Sequence, residues 1–276
     1  MTTPVYDLHC HSTASDGALS PAAIVARAAA MGVELLALTD HDTVSGLAVA
    51  RATAEIRNVR LLGGVEISAI WEGHEVHVIG IGVDEHDKNL IMALAEQQNR
   101  RWERGIEIAH RLEDLGIEGA WGGSRKRAGD AAPGRAHFAK FLLETGGARS
   151  IQAAFDRLLG AGRPAYVAPK WMSLEAAVRC IAGTRGRAVV AHPERYDLTG
   201  KQLARLLDDF SALGGWGLEA VARSERHVDR EVDKLCRSAG LPSIWGSDFH
   251  QPGIGRELGV DVTDSNWREA SLSEFE

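Results

Sequence analysis

Thiol chemistry is nearly absent from this chain. Its three cysteines, Cys10, Cys180 and Cys236, lie far apart and form no C-x-x-C pair, which excludes a disulfide framework and a thiolate zinc site. Also missing is any apolar run near the roughly 18 residues of a membrane span. The start Met1-Thr2-Thr3-Pro4 carries no basic and then apolar leader, so a cytoplasmic protein is expected. Nor is there a surplus of basic charge: the formal net charge of −7 argues against a broad nucleic-acid-binding face, although a small anionic ligand is still allowed. No internal repeat, low-complexity stretch or obligate protein partner is evident. The acidic end from Asp261 to Glu276 reads as a surface tail.

What is present in quantity is histidine at strand ends. Val5-Tyr6-Asp7-Leu8-His9-Cys10-His11 has strand character, and its period of two puts Asp7, His9 and His11 on one face. Cys10 then points the other way, as core. Ser20-Pro21 opens an alanine-rich helix as N-cap and first helical residue. The apolar run Glu34–Thr39 suits a buried parallel strand and leads into Asp40-His41-Asp42. Each of those two acids can either orient His41 or cap the next helix. Arg60–Ile67 carries Glu66, and Glu75–Val83 carries His77. A helical stretch follows from about Lys88 to Gly116.

The rhythm breaks over residues 117–165. They hold a glycine-rich polar loop, Gly122 to Arg127, and helical segments near Ala136–Glu144 and Ile151–Gly160. Strands and helices alternate again afterwards: helix Leu174–Ala182, strand Ala188–Ala191 before His192, helix Lys201–Ala212, strand Gly217–Val221, helix Glu225–Ala239, and strand Ser243–Gly246 before Asp248 and His250. Strand–helix alternation implies a parallel sheet. His9, His11, His41, Glu66, His192, Asp248 and His250 all fall at strand carboxyl ends, with His77 inside one. An open doubly wound sheet gathers ligands at one crevice, whereas a closed barrel gathers them from every strand. The expected fold is therefore α/β: a distorted, TIM-like (β/α)7 barrel over residues 1–99 and 168–276, with residues 100–167 inserted as a small helical lobe capping the substrate. His74, His86, His110 and His227 lack this context and read as surface or core residues. Glu219, at the end of the sixth strand, is left outside the site.

Together, His9-Cys10-His11, Thr39-Asp40-His41, Gly64-Val65-Glu66, His77, Ala191-His192-Pro193 and Gly246-Ser247-Asp248-Phe249-His250 resemble the polymerase and histidinol phosphatase (PHP) family of metal-dependent phosphoesterases. The lobe segment Gly134 to Ala139 and Lys170-Trp171-Met172 resemble the branch that hydrolyses 3′,5′-nucleotide bisphosphates and is linked to 5′-to-3′ trimming of short RNA. The resemblance implies three metal positions: one held by His9, His11, Glu66 and Asp248, a second by Glu66, His77 and His192, and a third by Asp16, His41 and His250. Glu66, Asp248 and His192 would then stand at the catalytic centre. Imidazoles and carboxylates without a thiolate suit manganese, iron or zinc, and the residues do not choose among them; manganese is the first expectation. Two or three divalent ions would activate water for attack on a 3′-phosphate, as in hydrolysis of 3′-phosphoadenosine 5′-phosphate.

Arg135, His137, Lys170 and Arg195 are the candidates for holding the second phosphate, with Trp171 or Phe138 for stacking on a base. The expected partner is a small nucleotide, with short RNA a further possibility and no membrane. Three other functions are weighed: a 5′-to-3′ exoribonuclease on short 5′-phosphorylated RNA, a histidinol phosphate phosphatase, and a catalytically idle metal-binding module.

Overall fold

The computed structural model describes residues 5–220, 222–224, 227–228 and 230–259. The expectation of an acidic surface tail falls on residues outside these, as do Val221, Glu225 and Arg226. Strands β1 (Val5–Asp7), β2 (Val33–Leu38) and β3 (Arg60–Trp71) are parallel neighbours, joined by α1 (Pro21–Ala30) and α2 (Leu47–Arg57). Ser20 caps α1 by accepting from the Ala23 amide at 3.2 Å, ahead of Pro21, whose fixed φ suits the first helical position.

The sheet is not all parallel. Strand β4 (His74–Ile81) runs antiparallel to β3 on one side and to β6 (Arg187–Val190) on the other. Only Glu72 (φ 45°) and Gly73 (φ 83°) separate β3 from β4, a left-handed pair that makes a tight hairpin. A parallel crossover needs a dozen residues or more. Reversal brings the amino end of β4 to the mouth of the sheet, which is why His77 reaches the site from inside its strand.

The remaining strands follow the parallel pattern. β6 pairs with β7 (Gly217–Glu219), and β7 with β10 (Ser243–Ile244). The order β1-β2-β3-β4-β6-β7-β10 has the seven strands expected; a two-residue strand, β5 (Met172–Ser173), adds on to β3. First and last strands meet through Leu8 N to Trp245 O (3.0 Å), Asp248 N to His9 O (2.8 Å) and His11 N to Phe249 O (2.9 Å). The sheet thus curls into a distorted TIM-like barrel. Its filling includes Ile67, Val78, Val190, Leu218 and Trp245, while Ile24, Leu36, Leu47 and Phe249 form a second core beneath α1 and α2. Helices α7 (Leu174–Gly183) and α8 (Gly200–Ala212) cover the later strands.

Helix α3 (Lys88–Asp114) spans ~40 Å at 1.5 Å per residue. Its first half packs Leu90 and Leu94 into the barrel core. Ile108 and Leu112, in its second half, join a third core with Phe138, Phe141 and Leu142. That core also takes in α4 (Ala120–Ala128), α5 (Arg135–Glu144), and α6 (Ile151–Ala154) with the π-helical turn Phe155–Leu159.

Two expectations are corrected here. Gly122 to Arg127 is the body of α4, not a loop; at Gly123 a Cβ would lie 2.2 Å from the Phe141 ring, so this glycine serves helix packing. The helix expected from Glu225 begins only at Arg230 (α9, Arg230–Ala239), because β8 (Ala222–Ser224) and β9 (His227–Val228) form a small hairpin first. No helix among the described residues is long and apolar enough to cross a membrane.

Candidate metal centre

Asp7 and Asp40 set the backbone that presents the first histidines. Buried Asp7 accepts from the amides of His9 (3.2 Å), Ser247 (2.9 Å) and Gly259 (3.0 Å), tying β1 to the segment after β10. Asp40 accepts from Ser12 N (2.7 Å), Ser12 Oγ (2.7 Å) and Ser15 Oγ (2.6 Å), fixing the loop that carries Asp16. Asp42 accepts from Ser68 N (2.8 Å) and Arg101 Nε (2.6 Å). Neither acid caps α2, whose N-cap is Gly46. Cys10 turns away from the histidines and donates to Ala37 O at 3.3 Å, as its core assignment requires.

At the centre lies Glu66, fully buried at the carboxyl side of the barrel. His77 Nδ1 (2.9 Å) and His192 Nε2 (3.0 Å) approach its Oε1. Its Oε2 lies 3.3 Å from His9 Nε2, 3.2 Å from His11 Nε2 and 3.0 Å from His41 Nδ1. Asp248 Oδ1 stands 3.4 Å from His9 Nε2 and 3.1 Å from His11 Nε2, and those two nitrogens are 3.1 Å apart. Beyond His11, Asp16 Oδ1 is 3.4 Å from His250 Nε2 and 3.9 Å from His41 Nε2.

Three groups of side chains are packed closely enough to share an ion: His9–His11–Glu66, His41–Glu66–His77, and His11–Asp16–His41–His250. His11 and His41 each serve two groups, where the family resemblance implies one for each. His192 meets Glu66 but lies outside the three groups.

These donors fit divalent cations on several grounds. His9 Nδ1 lies 2.8 Å from Glu219 Oε1; donating there leaves Nε2 as a lone pair aimed at carboxylate oxygens. His250 Nδ1 faces Asp248 O at 2.9 Å in the same way, so its Nε2 presents a lone pair to Asp16. An imidazole nitrogen facing a carboxylate this closely is held by a shared proton or by a cation between them, and a divalent ion there would take the proton's place. Five edges of the tetrahedron formed by His9 Nε2, His11 Nε2, Glu66 Oε2 and Asp248 Oδ1 measure 3.1–3.4 Å. Separations this short let His9 Nε2 and His11 Nε2 share one ion with a neighbouring carboxylate, at the ordinary ~2.0–2.2 Å reach of a metal to nitrogen or oxygen. Asp16 Oδ1, His41 Nδ1 and Glu66 Oε2 are also buried without a hydrogen-bond partner among the described residues.

The charges tell the same story. Burial alone would lower the His11 pKa, yet its contacts with Asp248 and Glu66 raise it to about 10. Burial likewise favours neutral Glu66 and Asp248, but the surrounding imidazoles hold both well below the usual carboxylate range. The site demands positive charge.

Glu219 belongs here although the sequence reading omitted it. Fully buried, it orients His9 through Oε1 and takes the His192 amide on Oε2 at 2.7 Å. Its place at the carboxyl end of β7 was the available signal. Arg195 Nη1 pairs with Asp248 Oδ2.

An open cleft of about 150 Å³ adjoins the centre, lined by Asp16, His41 and His77 and by Arg101, Arg104 and Arg135. Arg101 and Arg104 escaped the sequence reading. They belong to the stripe Gln97-Arg101-Arg104-Ile108 on α3, whose helical spacing faces the barrel. Of the expected substrate residues, Arg135 lines this cleft. His137 is 2 % exposed and accepts from the Gly134 amide at 3.1 Å, closing the start of α5; burial lowers its pKa to about 4. Lys170 lines a separate cleft on another face of α3. Trp171 is buried in the wall and donates to Glu75 Oε1 at 2.7 Å, while Phe138 is wholly inside the third core, which removes it as a base platform.

Comparison with known proteins agrees with this geometry. A PHP domain model matches residues 7–197. The chain is 40% identical to the 5′-3′ exoribonuclease Rnm of Salmonella typhimurium, over 98% of this chain and 96% of the relative. It is 42% identical to a 3′,5′-nucleoside bisphosphate phosphatase of Chromobacterium violaceum, over 92% and 90% of the two chains. Among solved structures, an amidohydrolase from Chromobacterium violaceum superposes with a TM-score of 0.86 at 40% identity, covering 93% of this chain and 91% of the other.

Proposed function

The chain belongs to the PHP family of metal-dependent phosphoesterases, and on that premise we propose that it is a phosphatase for 3′,5′-nucleotide bisphosphates. It removes the 3′-phosphate and releases a 5′-mononucleotide and inorganic phosphate. One observation carries this reading: a guanidinium-lined wall with Arg104 and Arg135 shares a single cleft with Asp16, His41 and His77. A plain monoester would need only the metal side. A substrate with two phosphates uses both.

Two or three divalent ions, manganese foremost and iron or zinc as alternatives, would be held by His9, His11, Glu66 and Asp248, by Glu66, His77 and His192, and by Asp16, His41 and His250. Bound there, they supply Lewis acidity that makes water a nucleophile near neutral pH and draws charge from the phosphoryl oxygens. The chain's own residues do the positioning. Glu219 keeps a proton on His9 Nδ1, so that Nε2 is free to ligate. Tyr196 receives the His77 amide at 2.9 Å and fixes that part of β4. Arg101, clamped by Asp42 and by Ser68 Oγ at 2.7 Å, presents fixed positive charge along the cleft. Residues 100–167 act as the substrate-capping lobe, and the proposed setting is cytoplasmic.

A second reading, exonucleolytic release from short 5′-phosphorylated RNA, is favoured by the relatives named 5′-3′ exoribonuclease. The same centre serves both, since the 3′-oxygen of the first nucleotide is the leaving group in each case and the diester differs only by the downstream nucleotide that stays esterified to the phosphate.

The Arg135→Ala variant tests the second-phosphate wall. Loss of one charge-assisted contact, worth ~1.5–3 kcal/mol, should raise KM for the bisphosphate about 10- to 100-fold and leave KM for a simple 3′-monophosphate nearly unchanged. An equal rise for both substrates would remove the selection role.

A further inference from the structure

The guanidinium wall already carries an anion of its own. Glu75 lies two residues before His77 on β4 and therefore faces the same side. Its Oε1 accepts from Trp171 Nε1 at 2.7 Å and stands 3.5 Å from Arg104 Nη1; its Oε2 accepts from Arg135 Nη2 at 2.9 Å. Arg104 gives Nε to Val167 O at 3.0 Å, and its Nη2 is buried without a hydrogen-bond partner among the described residues. One carboxylate thus ties both guanidinium groups, and one N–H still lacks an acceptor. With only 10% of its side chain exposed, Arg104 needs a counter-charge nearby, which Glu75 supplies.

We propose that Glu75 is a specificity residue: a carboxylate counterweight that a substrate's second phosphate must replace on Arg104 and Arg135, which restricts the cleft to dianionic phosphate ends. This rests on the reading of the cleft as the second-phosphate site. A phosphate monoester carries about −1.5 to −2 charge near neutral pH and has three strong acceptor oxygens. A backbone phosphodiester carries a single negative charge, the same as Glu75 itself. Exchanging one monoanion for another gains no attraction. A dianion gains charge and brings the additional acceptor that Arg104 Nη2 lacks. The consequence holds for nucleotide and RNA alike: the substrate must end in a free 5′-phosphate, and an internal diester is turned away.

The test uses three adenosine 3′-phosphates that differ only in the 5′ group: hydroxyl, phosphate, or methyl phosphate. Metal-loaded wild type should favour the 5′-phosphate over the 5′-methyl phosphate at least tenfold, mainly in KM. Glu75→Gln keeps an acceptor for Trp171 Nε1 but loses the charge, and should narrow that ratio to about threefold or less. Glu75→Asp should restore it. A ratio unchanged in Glu75→Gln, or no preference in wild type, overturns the proposal. Calorimetric titration of the full chain with sulfate gives a readout independent of turnover: Glu75→Gln should bind at least tenfold more tightly, and an unchanged Kd overturns the role. Tighter sulfate binding without turnover of any of the three esters would support the role of Glu75 and count against the bisphosphate reading.

Discussion

At the scale of single residues, the centre depends on which nitrogen of each imidazole is free. Glu219 decides this for His9, and His9 Nε2 belongs to the donor group it forms with His11 and Glu66. Outer partners of this kind are typically worth 10- to 100-fold in metal affinity. Glu219→Gln should therefore weaken manganese binding by that factor in a calorimetric titration, with the fold intact by circular dichroism; unchanged affinity would show that His9 needs no such orientation. His11, His41 and Glu66 were legible in the sequence because strand ends in a barrel converge. Glu219 was not, since an acid that orients a ligand and one that caps a strand look alike until distances are known.

At the scale of elements, α5 shows that a residue facing a cavity beside Asp16, His41 and Arg101 also has a structural task. His137 does sit at the start of its helix, but it is buried as an acceptor for the Gly134 amide. Its folded pKa of about 4 lies below the ordinary 6.5, so between those values the unfolded chain binds the extra proton. Stability from this group is complete above pH 6.5 and is lost as pH falls toward 4, by up to ~3 kcal/mol. His137→Gln can still accept the same amide. It should flatten that part of the pH–stability curve in urea unfolding; a curve identical to wild type would assign the acid sensitivity elsewhere.

Helix α4 makes a related point. Gly122-Gly123 read as a loop because glycine weakens helices, yet Gly123 is where the Phe141 ring lies against the backbone. Gly123→Ala would overpack that contact and should cost ~1–3 kcal/mol in the same assay, against a gain if helix propensity ruled. The direction of β4 was likewise hidden in a period of two, which is the same for parallel and antiparallel strands. Only the two-residue link Glu72-Gly73 carried that information.

At the scale of the whole molecule, the order of strands around the barrel and the gathering of histidines and acids at its mouth followed from the sequence. The basic wall did not. Arg101 and Arg104 are remote in sequence from every metal-binding motif and reach the cleft because α3 runs from the barrel core to the third core. Buried acids and imidazoles crowded around Glu66 imply that cation binding stabilises the fold as well as the reaction. Manganese at about 100 times its Kd should add ~2.7 kcal/mol and raise Tm, and a chelator should reverse the shift. A Tm indifferent to both would mean that the centre holds no ion tightly.

The central claim, a metal-dependent phosphatase selective for a second phosphate, is tested most directly by phosphate release from 3′-phosphoadenosine 5′-phosphate by the manganese-loaded protein. Adenosine 3′-phosphate, adenosine 5′-phosphate and a short 5′-phosphorylated RNA run alongside. The account predicts fastest turnover of the bisphosphate, lost in His9→Ala and in Asp248→Asn. Turnover of the RNA alone, or equal rates on bisphosphate and monophosphates, would contradict it.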